Sequence, residues 1–437
     1  MRTHHRRAVA ALLVVSAALL AAAGGETSER RVRGAVLAVF DDGSLQLEDG
    51  LVVRRTRDTE LRSAGTAFSG PLLVGQPVEA TGQMSPGGET FLAHRVDVLA
   101  APGGEVRGEA VLEEQREDPR GLLLHADGRR LLVTERTRRT LSEEFTPGDY
   151  LTYRGEWIEG GVVELREVSV TANRLEEKEK VIYDTYRPDI QFPAGESDQP
   201  AVLRVGENRY GIVNDRRVQL YLDQLGSRLA PALWRDPQAA ERFGFSIWFV
   251  LVSHAAPQAS AFPSGVVVIH SGLLQLAENE AQLAFVVAHE LAHVLQEHAW
   301  RESAFHRKKL QALRWSTAGI GFLVESAVRR GYQRGLETQA DRLALWYLAQ
   351  AGFDPREGVK MMQRLESRQE GLSALLWEKH RTYPQRRRAA MEELFRYSAQ
   401  GLAYSSLTRN SGEYMVLRAL IPTAHIEAAQ EPGPPRR

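Results

Sequence analysis

The chain contains no cysteine. A disulfide framework, a thiolate metal ligand, a catalytic thiol and a lipid-modified cysteine are therefore excluded, and any bound metal must be held by His, Asp or Glu. Charge of one sign is also missing: 55 Lys plus Arg stand against 56 Asp plus Glu, a formal net charge of −1. That balance supplies no basic field, so nucleic acid is not expected as a partner. Long apolar runs are confined to the first residues. The later patch at 320–324 falls far below the roughly 20 residues needed to span a bilayer. What is present is 437 residues, 43% apolar and 25% charged, enough for two or three domains with cores of their own.

Residues 1–23 place Arg2, His4, His5, Arg6 and Arg7 before an apolar run that closes on Ala21, Ala22 and Ala23. This is the layout of a cleavable secretory signal; the competing reading is an uncleaved N-terminal membrane anchor. Cleavage would remove Arg2, Arg6 and Arg7 and shift the formal charge from −1 to −4. The mature protein is then expected to be exported, periplasmic or secreted, and not integral to a membrane.

Between about 33 and 170 the sequence consists of short β-prone runs separated by turn dipeptides, among them Asp42-Gly43, Asp49-Gly50, Asp127-Gly128 and Gly160-Gly161. The pattern recurs at an offset of 72 to 74 residues: Val32-Arg33-Gly34 as Val106-Arg107-Gly108, Gly75 as Gly148, Gly82 as Gly155, and Val96-Asp97-Val98 as Val168-Ser169-Val170. Two tandem copies of one small β module are expected, 30–100 and 104–173, acting either as spacers or as contacts for envelope proteins or glycans. A charge run at 176–180 and the prolines Pro188, Pro193 and Pro200 mark 174–204 as a linker. Beyond it, apolar residues at Val218, Leu220, Leu222, Leu225 and Leu229 predict an amphipathic helix over 213–229. The runs 245–252 and 266–269 predict strands, and a helical stretch extends over 277–400. The tail 401–437, with Pro432, Pro434 and Pro435, is expected to be disordered at its end.

The strongest chemical signal is His289-Glu290-Leu291-Ala292-His293, inside a run 280–297 that lacks Gly and Pro. Positions four apart on a helix stand nearly above one another, so both imidazoles can reach one ion, while Glu290, one step off, can address a metal-bound water. A chance H-E-x-x-H is expected only on the order of a few hundredths of a time in such a chain. Catalytic zinc needs a third protein ligand and an open fourth position. Glu337-Thr338-Gln339-Ala340-Asp341 heads a helical run, and we assign Glu337 as the third ligand and Asp341 as the acceptor that fixes a ligand histidine through its other ring nitrogen. Gln296 and Ala299 occupy the glycine and histidine positions of the three-histidine zinc pattern, which excludes it. His298, five helical steps from His293, lies off the seam and reads as a cation near a helix C-terminus.

With these residues in view the chain resembles the HtpX/CAAX-protease-like zinc metallopeptidase family, and within it the soluble, exported members of the BepA type. The resemblance is carried by 260–274 (SAFPSGVVVIHSGLL), 280–284 (EAQLA), 289–293 (HELAH) and 337–341 (ETQAD), in that order, and covers about 205–400. It implies an α-rich gluzincin domain at 205–400, one Zn2+ per chain and cleavage of proteins or peptides, with His289, His293 and Glu337 as ligands and Glu290 as base. The expected fold class is α+β, with this domain preceded by the two all-β barrel-like modules. One departure stands out: Tyr383-Pro384 occupies the place of a family histidine-proline pair. Tyr383 is read either as a donor to an oxyanion or as a packed turn residue, with His380 as a weaker substitute. An extended substrate is expected along Val266, Val267 and Val268 if that strand is an edge; otherwise it belongs to the core. A competing class of function is an exported chaperone or scaffold with a structural zinc site.

Overall fold

The computed structural model describes residues 29–99, 104–138, 144–158, 161–171, 186–192, 200–213, 215–235, 246–299, 334–367 and 383–420. Residues 1–23, His380 and the proline-rich end lie outside them. Among the described residues no helix is long and apolar enough to cross a membrane.

The first β-rich unit contains β1 (Arg30–Val39), β2 (Leu45–Leu47), β3 (Val52–Ser63), β4 (Thr66–Ala67), β5 (Pro77–Met84) and β6 (Thr90–Val98). Strand β1 pairs with β2 and β5, β2 with β3, β5 with β6, and β6 with β3 in the one parallel contact of the sheet. The second unit contains β7 (Glu105–Asp118), β8 (Gly121–Ala126), β9 (Arg129–Val133), the one-turn helix α1 (Glu135–Arg138), β10 (Tyr150–Ile158) and β11 (Val162–Thr171), closed as a barrel in the order β10-β11-β9-β8-β7. Its pairings follow the same order, including a parallel contact between β9 and β11.

The two units also share detail. Gly75 N–H donates to Val36 O and Gly148 N–H to Leu112 O, both at 2.7 Å. Gly82 and Gly155 each stand where the register shifts, and a Cβ there would lie 2.0 Å from Leu92 O and 2.4 Å from Glu164 O. Only glycine permits that approach, which accounts for the recurrence of these residues in the sequence. Each unit has its own apolar centre, around Val36, Leu45, Val53, Phe91 and Val96 in one and Leu112, Leu124, Leu131, Leu151 and Val163 in the other.

The linker expectation for 174–204 is corrected where the chain is described. Strands β12 (Asp189–Gln191), β13 (Val202–Val205) and β14 (Asn208–Gly211) form an antiparallel sheet. Tyr186, Leu203 and Val205 are buried against Val250, Phe262 and Val268. Strands of three or four residues leave too short an alternation to read against the surrounding prolines and charges.

The remaining chain builds the helical unit. Helix α2 (Arg216–Leu229) is capped by Asp215, which accepts from Arg217 N–H, and buries Val218, Tyr221, Leu222, Leu225 and Leu229. Tyr221 takes the place expected for Leu220, which is 55% exposed; the 3.6-residue period selects 218, 221, 222, 225 and 229 as one stripe. The one-turn helix α3 (Ala232–Arg235) precedes the three-stranded sheet β15 (Trp248–Val252), β16 (Ala259–Ala261) and β17 (Val266–His270), in the order β15-β17-β16. Helix α4 (Ser271–Leu276) leads to α5 (Glu280–Leu295), whose N-cap Asn279 accepts from Gln282 N–H and whose every residue is buried. A helix buried on every face belongs at the centre of a core. Packed around it are α6 (Arg334–Gln350), α7 (Arg356–Ser367) and α8 (Tyr383–Ala399), with α9 (Gly412–Leu420) placing Tyr414 and Leu417 into the same core. The unit thus continues past residue 400, where the sequence reading ended it.

Both β units touch the helices. Val74 O accepts from Ser398 Oγ at 3.0 Å, and Leu37 joins the helical core. From the second unit, Arg129 Nη2 meets Glu393 at 2.5 Å. The Asp127-Gly128 hairpin tip enters beside α6, where a Cβ on Gly128 would lie 2.5 Å from the Trp346 ring.

Candidate metal centre

Helix α5 presents His289 and His293 on one face, with relative exposures of 8% and 3%. Their Nε2 atoms stand 3.0 Å apart. Glu337, in the first turn of α6, brings Oε2 to 3.5 Å from His289 Nε2 and Oε1 to 3.8 Å from His293 Nε2. The three potential ligating atoms lie within 4.8 Å of one another. Two neutral imidazole lone pairs cannot face each other across 3.0 Å without a proton or a cation between them. With bonds of about 2.0–2.2 Å, adjacent ligands of tetrahedral zinc are separated by roughly 3.4 Å, near the 3.0 Å between the two imidazole nitrogens and the 3.5 Å from Glu337 Oε2 to His289 Nε2. The donor set therefore fits zinc.

The electrostatics around these groups are those of a cation site. Burial works against a charged His289 ring, but Asp341 and Glu337 outweigh it and raise the ring to about 9. Asp341 Oδ1 lies 3.0 Å from His289 Nδ1, one helical turn beyond Glu337. Burial opposes the Asp341 charge, and Arg386 holds the carboxyl below its usual range all the same. Arg386, from the first turn of α8, donates to both Asp341 oxygens at 2.5 and 2.7 Å, and its Nη1 lies 3.2 Å from Glu337 Oε2. Sequence reasoning missed this arginine; its only local signal is its position three residues after Tyr383 at a helix start.

Glu290 follows His289 on α5 and is 8% exposed. Tyr383 opens α8 and is 7% exposed, with the Arg386 guanidinium 4.9 Å from its ring centre. Burial and the charges of Asp341, Glu337 and Glu290 push its hydroxyl up to about 12 against the pull of Arg386, so it keeps its proton at neutral pH.

Two expectations are corrected. Val266, Val267 and Val268 are not an edge: β17 is the central strand, parallel to β15 and antiparallel to β16, and its residues are fully buried. A strand paired on both sides has no free ladder to offer a peptide. The outer strands beside it, among the described residues, are β15, whose far side carries the Ile212–Val252 bridge, and β16. His298 is likewise not the cation near a helix C-terminus that the sequence suggested. It is 0% exposed, and burial pushes its ring down to about 3. Helix α5 ends at Leu295, Glu297 takes φ +50°, and the turn there brings His298 Nδ1 to 2.8 Å from His293 Nδ1. Helical spacing does not apply across a left-handed residue.

Residues 218–395 match the family model described as Peptidase family M48. The beta-barrel assembly-enhancing protease of Yersinia pestis is 30% identical over 172 residues, 35% of this chain and 34% of the relative. The protein of that name from Escherichia coli is 29% identical over 171 residues, again 35% and 34%. The mitochondrial metalloendopeptidase OMA1 of Schizosaccharomyces pombe is 28% identical over 124 residues, 27% of this chain and 37% of the relative. The chain thus spans little more than a third of the length of these relatives, and the β-rich units lie outside the family match. The matched segment carries both imidazoles, Glu290, Glu337, Asp341 and Arg386, and through it the chain bears a domain of peptidase family M48.

Proposed function

We propose that the protein is a zinc-dependent endopeptidase of the bacterial cell envelope. The observation that carries this reading is the convergence of His289, His293 and Glu337 within 4.8 Å, with Glu290 on the adjoining helical position. His289, His293 and Glu337 would hold a zinc ion, which would supply an acidified water and an electrophile for the scissile carbonyl. Glu290 would accept a proton at its carboxylate and return it to the departing amine. Asp341 holds the His289 ring by its Nδ1, and Arg386 fixes Asp341 from the opposite side. Tyr383, protonated at neutral pH, is read as the donor of a hydroxyl hydrogen to the oxygen that gains charge.

The substrate main chain is assigned to β16, the strand packed beside α5. Gln258 O and Phe262 N–H point toward β17. Strand alternation then turns the N–H and C=O groups of Ala259 and Ala261 to the other side, where an extended peptide can add. A peptide methylated on the two backbone nitrogens that would face Ala259 and Ala261 should show a KM at least about tenfold higher, the loss of one or two hydrogen bonds. An unchanged KM removes β16 from the substrate path.

Export follows from the leader-like residues 1–23, and the two β-rich units, with the pairing order of small Greek-key barrels of the OB class, are read as copies of one module that contacts envelope proteins or glycans. The relatives named for β-barrel assembly support unassembled or misfolded envelope proteins as substrates. The test is hydrolysis of casein by the purified mature protein. Glu290→Gln should lower turnover about 10² to 10⁴-fold while zinc content stays at one per chain. Full turnover in that variant refutes the mechanism. Zinc-dependent folding without any hydrolysis by the wild type would favour the chaperone reading instead.

A further inference from the structure

A chain of buried polar groups leads away from the metal centre on the side opposite Asp341. His293 Nδ1 stands 2.8 Å from His298 Nδ1, and His298 Nε2 stands 3.3 Å from Gln339 Oε1. Gln339 Nε2 donates to Gln296 Oε1 at 3.0 Å and to the carbonyl of Glu109, on β7, at 3.3 Å. Gln296 Nε2 donates to Asp127 Oδ1 at 2.9 Å. All five side chains are at most 9% exposed.

The direction of each bond is fixed by the one before it. If His293 offers its Nε2 lone pair to a metal, its proton sits on Nδ1 and must be donated. Among the described residues the ring nitrogen facing it, at 2.8 Å, is His298 Nδ1, so the His298 proton sits on Nε2 and is donated to Gln339 Oε1. The Gln339 NH2 then donates to Gln296 Oε1, and the Gln296 NH2 in turn donates to a carboxylate. Every donor meets an acceptor, and the series ends on the acid Asp127, whose other oxygen accepts from Val111 N–H at 3.1 Å. A histidine ligand whose second nitrogen leads to a carboxylate is held in one tautomer and one orientation. For His289 that carboxylate is one helix away, whereas for His293 it belongs to the second β-rich unit.

We propose that Asp127, at the tip of the β8–β9 hairpin, is a positioning residue for the metal centre, acting through Gln296, Gln339 and His298 to set the tautomer of His293. The docked β unit is then part of the metal site's support, and a displaced hairpin loosens the ion. This rests on the zinc reading above. The tip is also held at its backbone: Arg342 Nη1 donates to Asp127 O at 2.5 Å, with its Nη2 3.8 Å from Asp127 Oδ2, and Gly128 packs on Trp346.

The hairpin geometry permits a clean test. Asp127 has φ +49°, a conformation that asparagine tolerates, so Asp127→Asn keeps the turn and removes the charge. Zinc affinity, measured on the full mature chain by competition with a chromophoric chelator, should fall at least about tenfold. Combining it with Gln296→Glu moves the carboxylate one group along. The new amide at 127 still accepts from Val111 N–H and donates to the new acid, which accepts from Gln339. The pair should recover affinity to within about threefold of wild type, an outcome that a merely structural role for Asp127 does not produce. Gln339→Met, which cuts the series on the helical side, should weaken zinc as Asp127→Asn does. Arg129→Lys, at the same interface but outside the series, should lower the unfolding midpoint of the metal-free protein without changing zinc affinity. Wild-type affinity in Asp127→Asn, or a double variant no better than the single, overturns the proposal. A wild-type protein that takes up no zinc overturns the metal centre itself, and the relay with it.

Discussion

Replacing Arg386 with methionine removes a guanidinium and keeps much of its length. In the native protein Arg386 is 5% exposed and meets Asp341, 1% exposed, through two short hydrogen bonds, and Glu337, 3% exposed, through one contact of 3.2 Å. Taking one partner from a buried ion pair costs about 3–5 kcal/mol, because the other charge stays out of water without compensation. In the metal-free protein His289 offers Asp341 a second partner at 3.0 Å, so the lower end, about 3 kcal/mol, is expected. Against a typical domain stability of about 5–15 kcal/mol that is a large share. The assay is urea unfolding of the metal-free protein at neutral pH, followed by far-ultraviolet circular dichroism. Adding Asp341→Asn to Arg386→Met should recover about 1–2 kcal/mol, since the stranded charge is then gone. A loss below about 1 kcal/mol, or single effects that add to within about 0.5 kcal/mol in the double variant, would show that Arg386 does not hold Asp341 as described.

Other expected outcomes concern pH and the metal. Burial acts to raise the Glu393 carboxyl, but Arg129 and Arg396 outweigh it and hold it at about 2, against 4.5 for a free glutamate. A depressed folded value means that the contribution is complete above about 4.5 and vanishes as pH falls toward about 2. The amount is roughly 3 kcal/mol. The urea midpoint of the wild type should therefore fall more steeply over that window than that of Glu393→Gln, and equal slopes refute the assignment. For Glu290→Gln the decisive pairing is lost turnover with retained zinc; joint loss of both would make Glu290 a structural residue rather than the base.

What the sequence determined by itself is what short-range geometry governs. His289 and His293 lie four apart, and in any helix that spacing stacks two side chains on one face, so the candidate ligand pair and the offset position of Glu290 were legible without the fold. Glu337 and Asp341 were legible for the same reason. The recurrent glycines were visible too, because Gly82 and Gly155 each fill a place where a Cβ would strike a carbonyl. Wherever contact joins distant segments, tertiary structure decided. Three arginines run in sequence at 386–388, and only the docking of α8 turns Arg386 inward upon Asp341. An apolar run such as 266–269 reads alike at the edge or centre of a sheet, since neighbour strands are chosen by long-range pairing. His298 reaches His293 because one left-handed residue ends the helix, and Asp127 meets Gln296 across 169 positions of chain. Periodicity extends only as far as the element that generates it; where the chain reverses, or a second unit docks, the polar partners of a buried group are set by packing alone.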